Sequence, residues 1–218
     1  PRFFPLGTKS GCRKLFADLG VRHPLGFENL HSIEDVIDAL IRLRAARPDV
    51  TEAMVKLNEG VSGEGNALVD LHNLTVPGSP GEREETARRV QEMAFELPGT
   101  PFSSYAAKLA ERGGIVEERI TGLELRSPSV QLRVTPFGEV ELLSTHDQML
   151  GGPSGQSYLG CTFPADFEYA KMISVDAQRI GERLAHEGVL GRFAIDFVVV
   201  RSGEGSWTTY AIELNLRK

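Results

Sequence analysis

The stretch Val55–Leu71, "VKLNEGVSGEGNALVDL", closes a short apolar run with Lys56, passes through glycines at 60, 63 and 65, and returns to apolar residues. "AMVKL" and "NALVDL" on its two sides read as antiparallel strands of a hairpin. Lys56 precedes the glycines and ends a strand. The segment is therefore neither the phosphate loop in which Gly-Lys-Ser/Thr opens a helix nor a G-x-G-x-x-G turn. What remains is a hairpin tip whose backbone amides can fold over an anion, with Lys56 at its root. Gly60, Gly63 and Gly65, with the small Ser62 among them, remove the side chains that would block such an approach. An ordinary glycine-rich turn has the same composition, so the loop alone leaves both readings open.

Acidic residues further on bear on that choice. Asp196 interrupts the apolar strand "FAIDFVVV", and Glu213 and Asn215 stand two apart in "AIELNLR". Side chains alternate along a strand, so Glu213 and Asn215 share a face, on which the same alternation places Ala211 and Arg217. If the two segments pair, Asp196 joins them. Two carboxylates and an amide oxygen form a hard-oxygen cluster suited to Mg²⁺; the alternative is a solvated polar face of an antiparallel sheet. A third cluster is "GIVEERITGLEL", where Glu117 ends an apolar run and Glu124 follows Gly122 by two. Carboxylates there can accept from an exocyclic amine or a ribose hydroxyl, or simply charge the outer face of a surface strand. In "STHDQMLGGPSGQ", His146, Asp147 and Gln148 end a strand before a glycine loop, where they can line an acceptor site, contact phosphate, or be polar turn residues.

The rest of the chain supplies a frame. Of 218 residues, 41% are hydrophobic and 25% charged, as in a soluble globular protein, in one sizeable domain or two small lobes. A net charge of -6 argues against a general nucleic-acid-binding surface, and no run reaches the ~18 apolar residues that span a membrane. Two cysteines far apart, Cys12 and Cys161, fit free thiols in a reducing cytoplasm. The five histidines show no zinc-ligand spacing. Helices are expected from about Ser10 to Leu19, from a Ser32 cap to Ala46, over 82–96 and 103–112, and over 165–188. In the last, Phe167, Ala170, Ile173, Ala177, Ile180 and Leu184 recur at a helical period and Gly188 stops the helix. "VRHPLGFENL" reads as a loop and "VPGSPG" as a turn or flexible connector. The layout is α+β, with lobes 1–115 and 116–218. The chain opens on Pro1 and stops just after a strand-like segment, so it reads as a piece of a longer protein.

These clusters in this order resemble the ATP-grasp superfamily. The resemblance implies two α+β lobes that clamp ATP. Lys9 in "GTKSGCRKLFADLG" looks like the first phosphate-contacting lysine and Lys56 like the second, with "EGVSGEGN" as the lid. Glu117 and the backbone of Glu118 to Ile120 would meet adenine, and Glu124 the ribose. Asp196, Glu213 and Asn215 look like ligands for one or two Mg²⁺ ions, and Arg192 and Arg217 like cationic contacts for the γ-phosphate or an acyl phosphate. More narrowly, "GTKSGCRKLFADLGVRHPLGFENL", "STHDQMLGGPSGQSYLGCTFPA" and "ELNLRK" resemble the pheganomycin-type peptide ligases. That implies a carboxylate–amine ligase that uses ATP, a carboxylate substrate and an amino-acid or peptide amine, and works through an acyl phosphate. An ATP-grasp kinase and a non-catalytic ATP-binding module are the rival readings. Only eight residues precede Lys9, where ATP-grasp enzymes normally carry another domain, and the segment after E-x-N-x-R is missing. This piece is therefore expected to hold nucleotide without turning over on its own.

Overall fold

The computed structural model describes residues 3–60, 65–151, 155, 157–201, 203 and 205–216. The chain forms two compact units, one of residues 24–119 with 151–157, the other of residues 1–23, 120–150 and 158–218. Lys9, at the start of the first helix, α1 (Lys9–Asp18), therefore belongs with the C-terminal metal-site candidates and not with Lys56. The chain passes between the two units near residues 23, 119, 150 and 157. The reason α1 joins the C-terminal unit is apolar: Cys12, Leu15 and Phe16 of α1 are buried in its core. The Ala211 N–H also donates to the Arg22 carbonyl at 2.8 Å.

The first unit is built on strands β1 (Gly26–Leu30), β2 (Glu52–Leu57), β3 (Asn66–Asp70), β4 (Ala94–Phe95) and β5 (Gly114–Glu118). They pair antiparallel in the order β1-β5-β2-β3-β4. Helix α2 (Ile33–Ala46) starts where Ser32 accepts from the Asp35 N–H at 3.0 Å and Asp35 reaches back to the His31 N–H at 2.8 Å. The first bond satisfies a donor that the helix leaves open, and the second ties down the residue before the cap. Its Leu40 and Leu43 are fully buried against the sheet, each contributing about 1.5–3 kcal/mol. The segment read as a loop at 21–30 forms edge strand β1. The helix expected over 82–96 is α3 (Glu82–Gln91) and ends early, because Met93 and Phe95 turn into the core and Phe95 packs on Tyr105, ring centroids 5.0 Å apart. Helix α4 (Phe102–Arg112) carries that tyrosine.

The second unit is built on β6 (Glu124–Val134), β7 (Val140–Gly151), β8 (Ser157–Thr162), β9 (Gly191–Arg201) and β10 (Trp207–Leu216), ordered β10-β9-β6-β7-β8. Helix α5 (Phe167–Glu187) packs on one face together with α1. Its buried stripe is Tyr169, Ile173, Ala177, Ile180 and Leu184, while Phe167, expected at its head, is 87% exposed. Gly188 ends it with φ 87°, a conformation that costs a side chain. In α1, Gly11 is required by close approach: a Cβ there would sit 1.8 Å from the Pro5 carbonyl oxygen. Among the described residues no helix is long and apolar enough to cross a membrane.

The connector at 76–81 is pinned rather than free. Buried Arg44 pairs with buried Glu82 and donates to the Thr75 carbonyl, while Glu82 accepts from the Gly78 N–H at 2.7 Å. Removing one partner of a buried pair strands the other charge. Arg44→Ala is therefore expected to lower stability by about 3–5 kcal/mol, measured by urea unfolding. A loss under 1 kcal/mol would contradict this account of the connector.

Candidate nucleotide and metal site

The organising feature of the second unit is a β-bulge in β10. Ala211 pairs with Phe197, yet Glu213 pairs with Asp196, so Ile212 is an extra residue. A bulge shifts the alternation by one. Ala211 and Leu214 therefore both enter the core, with Phe197 and Ile195 opposite them. Glu213 and Asn215 point to the other face, as expected of them, whereas Ala211 does not share it. Asp196 joins them there, directly across from Glu213.

That face holds a connected polar set. The Asn215 Nδ2 donates to Asp196 Oδ2 at 2.8 Å, and the Gln148 Nε2 donates to Asp196 Oδ1 at 3.0 Å. The Lys9 Nζ bonds Glu213 Oε1 at 2.9 Å, with the lysine side chain 10% exposed. Lys9 is presented by the first turn of α1, whose cap Thr8 accepts from the Gly11 N–H at 3.0 Å. Burial pushes the Asp196 carboxyl above its usual range and the neighbouring Glu213 charge pushes the same way, against the pull of the Ser129, Asn215 and Gln148 donors. Among the described residues no group of three or more His, Cys, Asp or Glu is placed to hold a metal; the set here is two carboxylates and an amide. Arg192 lies on β9 four residues from Asp196, so alternation puts it on the same face, and it is exposed. Arg217, Ser62 and Gly63 lie outside the described residues.

The first unit holds the other candidates. Lys56 Nζ bonds Glu117 Oε1 at 2.6 Å, the two side chains 8% and 3% exposed. They sit two residues apart across the β2–β5 register, on one face. Gly65, with φ 87°, closes the hairpin root, its carbonyl accepting from the Leu57 N–H at 3.0 Å. Gly60 is described and exposed. The buried Tyr105 hydroxyl lies 3.0 Å from the Gly65 carbonyl and 3.2 Å from that of Val55, tying both strands at the root; burial raises its pKa. Glu118 has a different set of partners from those expected. Its carboxylate accepts from the Leu25 N–H at 2.9 Å and pairs with Arg47 at 3.1 Å, and its own N–H donates to Leu25 O at 2.8 Å.

Ile120 and Glu124 fall in the second unit. Ile120 is half-buried, in the segment of sequence that precedes β6. Glu124 is held by Arg126 and by Arg201 at 3.1 Å; Arg201 also pairs with Glu168 and lies over the Trp207 ring, 4.6 Å from its centroid. Of the unassigned trio, Asp147 faces the helix side, accepting from Tyr169 Oη at 2.7 Å and from the Asp166 N–H at 3.0 Å. His146 is buried against Phe163, with ring centroids 5.0 Å apart, and burial lowers its pKa. Gln148 and Tyr105 are the contributors that sequence reasoning did not place. Period-two spacing from His146 puts Gln148 on the carboxylate face, but its partner on β9 emerges only from the strand order.

A family model described as IQCH-like, ATP-grasp matches residues 5–96 and 80–217. The chain is 34% identical over 215 residues to the L-propargylglycine--L-glutamate ligase of Streptantibioticus cattleyicolor, covering 97% of this chain and 41% of the ligase. It is 27% identical over 239 residues to IQ motif-containing protein H of Danio rerio, covering 96% of this chain and 22% of that protein. It thus spans less than half the length of either curated relative. Among solved structures, the biotin carboxylase domain of Hydrogenobacter thermophilus 2-oxoglutarate carboxylase, in complex with MgADP and bicarbonate, is similar with TM-score 0.66 and 16% identity over 98% of this chain and 40% of that one. D-alanyl-alanine synthetase A of Vibrio cholerae gives TM-score 0.60 and 14% identity over 96% and 55%. At such identities the likeness shows a shared fold.

Asp196 carries a pH signature. Its folded pKa lies above its unfolded value of ~3.9, so the native state binds the extra proton and stability falls as pH rises through that window. At neutral pH the ionised carboxyl is therefore a net cost, which Asp196→Asn removes. The variant is expected to unfold at higher urea than the parent at pH 7, with the advantage shrinking as pH falls toward ~3.9 and absent below it. A variant less stable than the parent at pH 7 would refute this.

Proposed function

Because the chain belongs to the IQCH-like ATP-grasp family, we propose that it is the nucleotide-binding core of an ATP-dependent carboxylate–amine ligase that joins a carboxylate to an amino-acid or peptide amine. The observation that carries this reading is the polar set on one face of the second sheet, in which Asp196 and Glu213 lie side by side with Asn215 and Lys9. The donor set fits a hard divalent cation. The two carboxylates are adjacent and partly buried, and one has its pKa raised by burial and by the other's charge; a cation relieves both effects. Asp196, Glu213 and the Asn215 amide oxygen would hold Mg²⁺, which when bound offsets phosphate charge.

The chain's own residues do the rest by position and charge. Each proposed phosphate lysine rests on a carboxylate, Lys9 on Glu213 and Lys56 on Glu117. Polyphosphate offers both ammonium groups a stronger anionic partner, so nucleotide binding exchanges one ion pair for another instead of desolvating a free charge. Gly60 and Gly65 frame backbone that can approach phosphate closely. Glu117 offers its carboxylate to the adenine amine, Ile120 its backbone, and Glu124 accepts from a ribose hydroxyl. The Arg192 guanidinium would steady phosphoryl oxygens.

A carboxylate oxygen of the substrate attacks the γ-phosphorus, the bond to the β-bridging oxygen breaks, and ADP leaves. The amine nitrogen then attacks the acyl carbon, the carbon–oxygen bond to phosphate breaks, and the nitrogen loses a proton as the amide forms. Orientation and charge neutralisation account for the catalysis in both steps. The relative named for L-propargylglycine and L-glutamate supports amino-acid substrates. A stable phosphorylated product without amine dependence would favour a kinase instead.

Calorimetric titration with ATP tests the site. Binding is expected to be saturable and strengthened by Mg²⁺. Glu213→Ala should abolish the Mg²⁺ effect, and Lys56→Ala should weaken ATP binding at least tenfold, measured at a temperature where the variant is still folded, because it also strands the buried Glu117 charge and lowers stability. A folded parent that binds no ATP, or a Lys56→Ala variant that binds as the parent does, would refute the assignment.

A further inference from the structure

Gln148 reaches Asp196 from two strands away. In the order β9-β6-β7, β6 lies between them, and its residues opposite are small: Ser127 pairs with Gln148, and Ser129 pairs with Asp196. Two strand spacings of about 4.8 Å separate the backbones, and the residues are also offset by two along the strands. A glutamine side chain crossing above two serines spans this and delivers its N–H to Oδ1 at 3.0 Å. An asparagine is one methylene shorter, about 1.5 Å, which takes the contact out of hydrogen-bond range. A larger residue at 127 or 129 would block the path.

The two oxygens of Asp196 therefore face different ways. Oδ1 is turned to β7 and Gln148, and Oδ2 to β10, where Asn215 donates to it beside Glu213. The Asn215 donor lies on the Oδ2 side, beside Glu213, whereas Gln148 holds the carboxylate from the opposite side through Oδ1. Resting on the proposed metal site, we infer that Gln148 is a positioning residue that holds the Asp196 carboxylate by Oδ1 and so presents Oδ2 to the divalent cation. Partners that orient metal ligands in this way commonly change affinity 10–100-fold when removed.

The test uses the 218-residue chain with Mn²⁺ as the probe. Mn²⁺ affinity is read by electron paramagnetic resonance with ADP saturating, metal-free ADP affinity by calorimetry, and stability by thermal melting. Gln148→Asn keeps the amide but shortens it; Gln148→Met keeps the length but removes the donor. Both are expected to weaken Mn²⁺ binding by about 10–100-fold, with metal-free ADP affinity within about twofold and only a modest fall in melting temperature from the lost donor to Asp196. Parent-like Mn²⁺ affinity in both variants overturns the inference. So does a loss of Mn²⁺ affinity that comes with equal losses of ADP affinity and melting temperature, because Gln148 would then be holding the fold. A parent chain that takes up no Mn²⁺ with ADP, or whose uptake survives Glu213→Gln, sinks the metal reading itself, and the inference with it.

Discussion

The extra residue at Ile212 is the constraint on which the second unit depends. Under strict alternation Ala211, Glu213 and Asn215 would share a face, and with Ala211 in the core the two polar groups would be driven in beside Phe197 and Ile195. Burying a carboxylate there without a partner is far more costly than a local break in the ladder. The bulge lets Ala211 and Leu214 both seal the core while Glu213 comes into register with Asp196. One irregularity thus satisfies the apolar side of the sheet and assembles the carboxylate pair on the other.

The assembled pair is a local conflict that the rest of the site contains. Two carboxylates side by side repel, and burial makes the conflict worse at Asp196. Lys9 answers on the Glu213 side, and the Gln148 and Asn215 amides on the Asp196 side. This explains why the N-terminal helix belongs with the C-terminal unit. Its apolar face completes that core, and its first turn carries the ammonium that Glu213 needs. The first unit solves a smaller version of the same problem with Lys56 and Glu117 across neighbouring strands. In both units a lysine is held against a carboxylate on a neighbouring element.

The elements with strong local signals were legible. Ser32 and Gly188 bound their helices as their chemistry requires, and the "AMVKL"/"NALVDL" and "FAIDFVVV"/"AIELNL" segments pair as alternation and the intervening glycines imply. The candidate chemistry was legible too, because Asp and Asn in apolar strands and a lysine before glycines are choices that local propensity does not favour. By itself, then, the sequence determined the α+β class and the two hairpin strand pairs, since each of these rests on neighbours within a few positions. Tertiary structure alone decided that Met93 and Phe95 end α3, that the polar segment at 26–30 serves as an edge strand, and that α1 joins the distant unit. It also decided that Ala211 leaves the carboxylate face, and that Gln148 finds Asp196 across two serines. Those outcomes turn on which strand lies beside which and where one ladder slips, and the Gln148–Asp196 and Lys9–Glu213 contacts join residues 48 and 204 positions apart, beyond the reach of any local pattern.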